Sequence, residues 1–412
     1  MSKSKEQKEW QPPKSVWNGM FLSVFVANMF LNLCQQMSNS QLSVYADSVG
    51  APADEVGVLF SMFALTALFF RFLSGPAMNS FNRKILVSIS IGIMAIAYAG
   101  FGLSPDIAAA TGLRTITVLK IFRAIQGIGN AFANSTFMAM VADLLPKDKF
   151  TSGMGIYACA QVVSQSLGPV LGEYLANTLG FQRAYLTVSV FTLLCIFAAV
   201  PIRLAPRKPV KFAINFKNII AWEALVPAGA IVCLHIAFTS INSFLLVYAK
   251  KRGIEGASAY FTVYALSMLA TRPIVGKLTD KFGFVKVGIP AACITGVSLM
   301  LIGFSSSLPM LLGVGALNAF GYGACQPALQ SLCMKSVPPE RRGSASSTSY
   351  IGQDIATLIG PVICGKIADI LGYVPMMWIG MCVPVVIGVV FMLCFRRRIN
   401  QIEADFKART NA

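Results

Sequence analysis

The sequence predicts an all-α membrane protein, with twelve transmembrane helices arranged as two pseudo-symmetric six-helix bundles. Of its 412 residues, 55% are hydrophobic and only 12% are charged, against about 25% charged in an ordinary soluble domain. Apolar stretches of roughly 20 residues, enough to cross about 30 Å of hydrocarbon, recur along the whole chain. Because backbone amides find no water partner in lipid, each stretch is predicted to be a helix.

Twelve apolar spans follow one another, and the longest basic loop separates the first six from the last six. The spans lie near residues 17–45, 56–74, 84–103, 115–142, 152–179, 184–202, 223–249, 258–277, 284–304, 308–335, 343–370 and 374–395. The loop contains "RLAPRKPVKFAINFK", which is basic and holds two prolines. We therefore expect one bundle at 1–202, a linker loop at 203–222 and a second bundle at 223–412.

The net charge of +17 would favour a nucleic-acid partner in a soluble protein, but here its distribution indicates topology. Twelve spans place both chain ends on one side. Of the 34 Lys and Arg residues, only five fall in loops of the opposite side: Arg114, Arg183, Lys250, Lys251 and Arg252. The positive-inside rule therefore predicts that both termini and the linker are cytoplasmic, in a cell membrane. We expect no nucleic-acid partner and no removable signal peptide.

The chain contains an internal duplication. The segment "PKDKFTSGMGIYACAQVVSQSLGPVLGEYLANTLGF" from Pro146 aligns without a gap to "PPERRGSASSTSYIGQDIATLIGPVICGKIADILGY" from Pro338, at an offset of 192. A second pair, "RFLSGPAMNSFNRKILV" from Arg71 and "RPIVGKLTDKFGFVKV" from Arg272, repeats at an offset of 201. Two repeated halves related by an axis along the membrane normal are typical of transporters.

The first helix of every three carries polar residues at helical spacing. Polar side chains at membrane depth usually face an interior or a water-filled cavity, so spans 1, 4, 7 and 10 are predicted to line one central cavity. The alternative is hydrogen bonding between helices that only holds the bundle together. The predicted substrate-binding residues are Asn32, Gln36, Asn39, Lys120, Gln126, Asn130, Asn134, His235, Asn242, Tyr322 and Gln326.

Over essentially its whole length the chain resembles the major facilitator superfamily, and within it the twelve-span drug:proton antiporters. "GKLTDKFG" from Gly276 is similar to the family's basic loop pattern, whereas "GPAMNSFN" from Gly75 lacks its acid and second glycine. "RAIQGIGNA" in span 4 resembles the Arg-x-x-Gln-Gly-x-Gly motif of proton-coupled members. "GIYACAQVVSQSLGPVLGE" in span 5 resembles the antiporter signature but departs from it at Ser164 and Glu173.

The two basic segments are predicted to latch the cytoplasmic mouth, one in each half. Their glycines allow close helix approach, and an arginine lies one turn inside each; a topology signal alone is the alternative. Because Asn79 stands where Asp280 stands in the second copy, the first latch should be weaker. Two Gly–Pro pairs should let spans 5 and 11 bend, or only pack. The predicted gating residues are Arg71, Gly75, Gly168, Pro169, Arg272, Gly276, Asp280, Gly360 and Pro361.

Two charged residues are predicted near the membrane midplane, Arg123 in span 4 and Asp354 in span 11. Charges at this depth are costly, so they indicate a retained function or a mutual pair. We interpret Asp354 as the proton carrier, with Arg123 as the group that its charge influences. Glu173, near the outer mouth, is the next candidate for proton coupling.

The sequence thus favours proton-coupled export of a small organic compound, neutral or anionic and amphipathic, by alternating access. The alternatives are an uptake carrier or exchanger for an organic anion, and a membrane sensor or scaffold that transports nothing. The chain has no GxxxxGK[ST] phosphate loop, so ATP is not expected to drive the cycle. We expect a monomer that is not an enzyme, binds no metal or cofactor, and has a small molecule, protons and the bilayer as partners.

Overall fold

The computed structural model describes residues 15–51, 53–199, 220–257 and 259–411. All regular structure in these ranges is helical. The linker predicted at 203–222 falls mostly outside them, as does the N-terminal tail. The boundaries of the two predicted bundles therefore stay a prediction, and below we refer only to the first and second halves of the chain.

The first half of the chain forms six helices. They are α1 (Gly19–Ser48), α2 (Ala53–Ser80), α3 (Arg83–Gly102), α4 (Ser104–Thr111), α5 (Thr115–Leu144) and α6 (Phe150–Ala199). The second half forms α7 (Leu225–Lys251), α8 (Ala259–Phe282), α9 (Phe284–Phe304), α10 (Leu308–Lys335), α11 (Arg342–Leu371), α12 (Tyr373–Pro375), a π-helical stretch at Met376–Cys382, α13 (Val383–Cys394) and α14 (Arg396–Asn411).

The membrane-spanning pattern agrees with the twelve predicted spans. Within the described ranges, nine helical stretches are long and apolar enough to cross a membrane. The longest, Lys147–Phe197, holds two predicted spans, because Gly180 (φ 75°, ψ 161°) breaks the helical path of α6. The two remaining predicted spans are α5 and α8, which are 30 and 24 residues long but more polar.

The structure differs from the prediction at several helix ends. The first basic segment is mostly helical rather than a loop, since α2 continues to Ser80 and α3 begins at Arg83. The short α4 and the C-terminal α14 were not predicted. In α14, Ile399, Ile402 and Phe406 are buried. Their spacing of three and four places them on one face of a helix, which packs against the protein.

The two halves meet along two helix pairs. Helix α2 packs along α11, and α6 packs along α8. The turn that follows α8 lies on the same side as α14, because Glu403 of α14 accepts hydrogen bonds from the Phe284 amide at the start of α9. The turn that follows α2 lies there too, because Arg83 pairs with Asp143 at the end of α5, and Lys147, just beyond α5, donates to the Arg409 carbonyl of α14. We call this the terminal side. Here the helices approach so closely that a Cβ on Gly276 would lie 2.6 Å from the Cα of Ser152.

Candidate functional site

The second basic segment joins the two halves through a helix cap. The amides of Thr151 and Ser152 donate to the two carboxylate oxygens of Asp280, at 2.9 and 2.7 Å. Both amides belong to the first turn of α6, where backbone donors lack partners within the helix and the helix dipole favours a negative charge. Lys335 donates to Thr151 at 2.7 Å and lies 3.7 Å from Asp280.

The first basic segment makes the corresponding contact less completely. The amide nitrogen of Asn79 donates to Ser344 Oγ in the first turn of α11 at 2.8 Å. Its carbonyl oxygen is buried without a hydrogen-bond partner among the described residues. Gly343 leaves room for it, since a Cβ there would lie 2.4 Å from that oxygen. Asn79 thus makes fewer hydrogen bonds to the facing helix end than Asp280 does. That this makes the first latch weaker in transport stays a prediction.

A shared carboxylate strengthens the same interface. Asp143, at the end of α5, contacts Arg83 at 2.6 Å and Arg342 at 3.2 Å. Arg342 belongs to the second half, and it also donates to the carbonyl of Ala142 at 2.6 Å. All three charged side chains are largely buried. The terminal side is therefore closed by ion pairs as well as by helix caps.

Farther from the terminal side than the latch contacts, by more than one helical turn, an ion pair connects the two halves directly. Arg71 of α2 donates through Nε and Nη2 to the two carboxylate oxygens of Asp354 of α11. Arg71 also donates to Ser135 Oγ at 3.2 Å and stacks over the Tyr350 ring at 4.8 Å. The Arg71 side chain is 2% exposed and that of Asp354 is 22% exposed. The acid therefore keeps limited access to its surroundings while paired.

A mutual pair of Asp354 and Arg123, one of the two alternatives for these charges, is not the arrangement in this structure. Arg123 instead donates to Asn39 Oδ1 at 2.8 Å and to Gln126. Its guanidinium lies over the rings of Phe60 and Phe63, at 5.1 and 4.5 Å from their centroids. The two charged residues have a similar predicted depth, but the arginine that faces Asp354 is Arg71 of α2. Depth alone could not show which arginine faces the acid.

A cavity of about 550 Å³ lies between α1, α6, α7 and α8. Its size falls within the range of about 300–1,000 Å³ that is usual for small-molecule sites. Every residue on its wall is uncharged. The hydrogen-bonding residues of the wall are Gln36, Gln165, Ser166, Asn242 and Thr262, and its aromatic residues are Phe238, Phe261 and Tyr264.

Two of the predicted substrate-binding residues, Gln36 and Asn242, line this cavity. The others lie off its wall, mostly bonded to neighbours, because buried polar groups pair wherever a partner is near. The pairs are Asn32 with Asn28, Asn39 with Gln36 and Arg123, Gln126 with Tyr98, Asn130 with Asn134, His235 with Tyr322, and Gln326 with Arg272 and Gln353. The wall of this cavity is formed by α1, α6, α7 and α8, and a cavity between spans 1, 4, 7 and 10 stays a prediction.

Lys120, also predicted to bind substrate, is held at the far end of α5 from the terminal side. Its ammonium lies 2.6 Å from Glu55, which also accepts from Arg114 at 2.7 Å. These hydrogen bonds, first from Lys120 and then from Arg114, hold the pKa of Glu55 below its usual value. Glu173, the second candidate for proton coupling, is exposed on α6. It has no hydrogen-bond or ion-pair partner among the described residues.

The two Gly–Pro pairs lie inside α6 and α11, where the glycines permit close packing. A Cβ on Gly168 would lie 2.4 Å from the Cβ of Gln36, and one on Gly360 would lie 2.9 Å from Thr239 Oγ1. Pro169 and Pro361 follow within the same helices. These contacts show the packing role; bending at the prolines stays a prediction.

Three groups of residues at this site were not predicted from the sequence. They are Glu55, the position of Arg71 opposite Asp354, and the part of the cavity wall that α8 forms. For α8, the aromatic run "AYFTVY" from Ala259 is a usable signal. The repeat itself held another signal. At an offset of 192, the counterpart of Asp354 is Val162.

Comparison with known proteins gives one family over almost the whole chain. The family model described as Major Facilitator Superfamily matches residues 20–261 and 228–409. A multidrug resistance efflux pump homologue of Lactococcus lactis is 25% identical over 379 residues, covering 87% of this chain and 90% of that protein.

Two solved structures share the fold. The human organic anion transporter MFSD10 has a TM-score of 0.78 at 17% identity, covering 93% of this chain and 100% of its own. A bacterial homologue of the iron transporter ferroportin in the outward-facing state has a TM-score of 0.77 at 15% identity, covering 91% and 99%.

Proposed function

This chain belongs to the major facilitator superfamily, and on that premise we propose that it is a proton-coupled exporter of a small organic compound. It is a multi-pass membrane transporter and not an enzyme. The name of the Lactococcus relative, an efflux pump, supports the outward direction. The cargo is a neutral or anionic amphipathic molecule, carried by alternating access between the two halves.

The observation that carries the proposal is the Arg71–Asp354 pair between the halves. An ion pair exists only while the acid is ionised, so a proton on Asp354 removes one of the contacts that close the terminal side. We take that side as cytoplasmic. A proton entering from outside would then favour opening toward the cytoplasm, where the proton leaves and cargo binds. Protonation thus favours the state that is open to the cytoplasm, and bound cargo favours the state that is open to the outside. Exchange requires these opposite effects.

The uncharged wall of the cavity supports the proposed class of cargo. A cationic drug would require a carboxylate near its charge, and none lines the cavity. The amide and hydroxyl groups suit hydrogen-bonding substituents, while Phe238 and Phe261 suit an apolar or aromatic body. The anion transport named for the human structural neighbour is compatible with this class.

Flux across proteoliposomes tests the proposal. Purified protein is first screened by thermal shift against organic acids and their uncharged analogues, and the most stabilising compound becomes the cargo. We expect it to accumulate in vesicles whose lumen is acidic and to stop accumulating when the gradient is collapsed. Accumulation of the cargo that does not depend on the pH gradient would contradict proton coupling. Accumulation only toward the alkaline side would identify an uptake carrier.

The orientation has a separate test by cysteine labelling in intact cells, with the native cysteines replaced. Single cysteines at Lys5 and Lys211 should react with an impermeant reagent only after the membrane is opened. A cysteine at Arg252 should react from outside without such treatment, because the loop charges orient the chain. Labelling of Lys211 from outside would overturn the twelve-span arrangement.

A further inference from the structure

The pseudo-symmetric counterpart of the Arg71–Asp354 pair lacks its acid. Arg272 of α8 corresponds to Arg71 at the offset of 201, and Val162 of α6 corresponds to Asp354 at the offset of 192. The packing is equivalent, since α6 lies along α8 as α11 lies along α2. The interface of α2 and α11 therefore contains an ion pair, whereas the interface of α6 and α8 contains a buried arginine and has a valine at the position of the acid.

Arg272 lies directly beneath the cavity. Tyr264 and Met268 line the cavity wall, and Arg272 follows at the next helical turn on the same face of α8. On the opposing helix, Val162 lines the wall, and the carbonyl of Ala158, one turn away, accepts a hydrogen bond from Arg272. Both helices thus place the guanidinium at the floor of the cavity, on its terminal side.

The charge of Arg272 is not compensated by any carboxylate in the described part of the chain. Its other hydrogen bond goes to the amide oxygen of Gln326 at 3.3 Å, and its Nε is buried without a partner there. Arg272 is only 3% exposed. A buried cation of this kind is costly unless an anion reaches it.

A second unsatisfied donor lies on the same face of α8, about two helical turns from Arg272. The hydroxyl of Tyr264 is buried and lacks a hydrogen-bond partner among the described residues, although the residue lines the cavity and is 8% exposed. Arg123, which is also buried and has no acid partner among the described residues, is a poorer candidate. It is enclosed by Asn39, Gln126 and two phenylalanine rings and reaches the wall only through Asn39 and Gln36.

We propose that Arg272 and Tyr264 form an anion subsite at the floor of the cavity, which takes the carboxylate of an organic monoanion. The inference rests on the proposed function and narrows its cargo from neutral or anionic to anionic. The carboxylate accepts from the Tyr264 hydroxyl and is attracted by the guanidinium below, while the aromatic wall holds the apolar body. Val162 stands at the position that corresponds to Asp354, so the interface of α6 and α8 lacks an acid there. The carboxylate of the cargo supplies the negative charge that this interface lacks.

The subsite is tested by binding, measured calorimetrically on the full chain in detergent. The probes are 2-naphthoate and 2-naphthamide, which match in shape and differ in charge. The wild type should bind the anion about tenfold or more tightly than the amide, because hydrogen bonds to a charged group are the stronger ones. Arg272→Gln should remove this preference and leave the affinity for the amide within about twofold.

Substitutions at Val162 supply a matched pair that leaves Arg272 in place. Val162→Asp places an acid at the position that corresponds to Asp354 and should abolish the preference for 2-naphthoate. Val162→Asn introduces a side chain of similar volume to aspartate but without its charge, and should keep the preference. Equal binding of both probes by the wild type, or no saturable binding of the anion, contradicts the subsite. An equal loss of both probes in Arg272→Gln assigns the arginine to packing and also contradicts it.

The result is separable from the proposed coupling. Charge-selective binding that depends on Arg272, in a protein whose flux ignores the pH gradient, would leave the subsite standing and remove the proton-coupled mechanism. Gradient-driven flux of an uncharged compound, with no preference for 2-naphthoate, would do the reverse.

Discussion

Asp354→Asn is expected to abolish uphill transport driven by a pH gradient while downhill exchange of cargo survives. Asparagine keeps the size of the side chain but carries no charge and takes no proton. Removing one partner of a buried ion pair costs about 3–5 kcal/mol, and each 1.4 kcal/mol is a tenfold change in an equilibrium. The state closed on the terminal side should therefore lose roughly 150- to 4,000-fold in relative population. The measurement is proteoliposome flux with and without an acidic lumen.

Glu173→Gln is the control for this substitution. Glu173 is the other acid that is predicted from the sequence to take part in proton coupling. It is exposed on α6 and lies in no ion pair with a described residue. We expect its replacement to leave gradient-driven transport within about twofold, because no interaction between the halves is lost. If Asp354→Asn still concentrates cargo and Glu173→Gln does not, the proton carrier is Glu173 and the ion pair is structural.

The second large effect is expected at the latch of the second half. Asp280→Asn should slow transport more than Asn79→Asp alters it. Asp280 accepts from two amides of the first turn of α6, and loss of a charged cap costs about 1–2 kcal/mol. That cost corresponds to roughly a 5–30-fold change in the population of the closed state. Initial rates of flux, normalised to the amount of reconstituted protein, provide the comparison.

Asn79→Asp is the matched substitution because Asn79 contacts the corresponding turn of α11. Its buried carbonyl oxygen has no partner in the described structure. A carboxylate there would be favoured by the dipole at the start of α11 but would lose the bond that the amide donates to Ser344. We expect these effects to offset one another and the rate to change by less than about threefold. Equal effects of the two substitutions would leave the segments with a topology role only.

The features set by composition and spacing were accessible from the sequence. Lipid forces every polar backbone group into a helix, so apolar length alone located the spans. The duplication identified Gly276 and Asp280 as partners of the first copy. The helix end that Asp280 caps could not be identified from spacing, because the acid and the two amides lie 129 and 128 positions apart.

The pairing of charges was not accessible in the same way. Asp354 and Arg71 are separated by 283 positions, and helical spacing gives the depth of a residue but not the helix that it faces. The hydrogen-bond partners of the polar stripes on α5 and α10 were inaccessible for a related reason. Gln126 and Gln326 are buried because their partners Arg123 and Arg272 lie within reach, whereas the cavity wall falls on α6 and α8.

The central claim is that the charge of Asp354 controls closure of the terminal side. Double electron–electron resonance between spin labels at Asp148 and Lys286 tests it without knowledge of the cargo, because both residues are exposed on the terminal side in different halves. We predict one short distance between the two labels for the wild type at neutral pH. For Asp354→Asn at the same pH we predict a second, longer distance, because the halves separate. Identical distance distributions for the two proteins would contradict it.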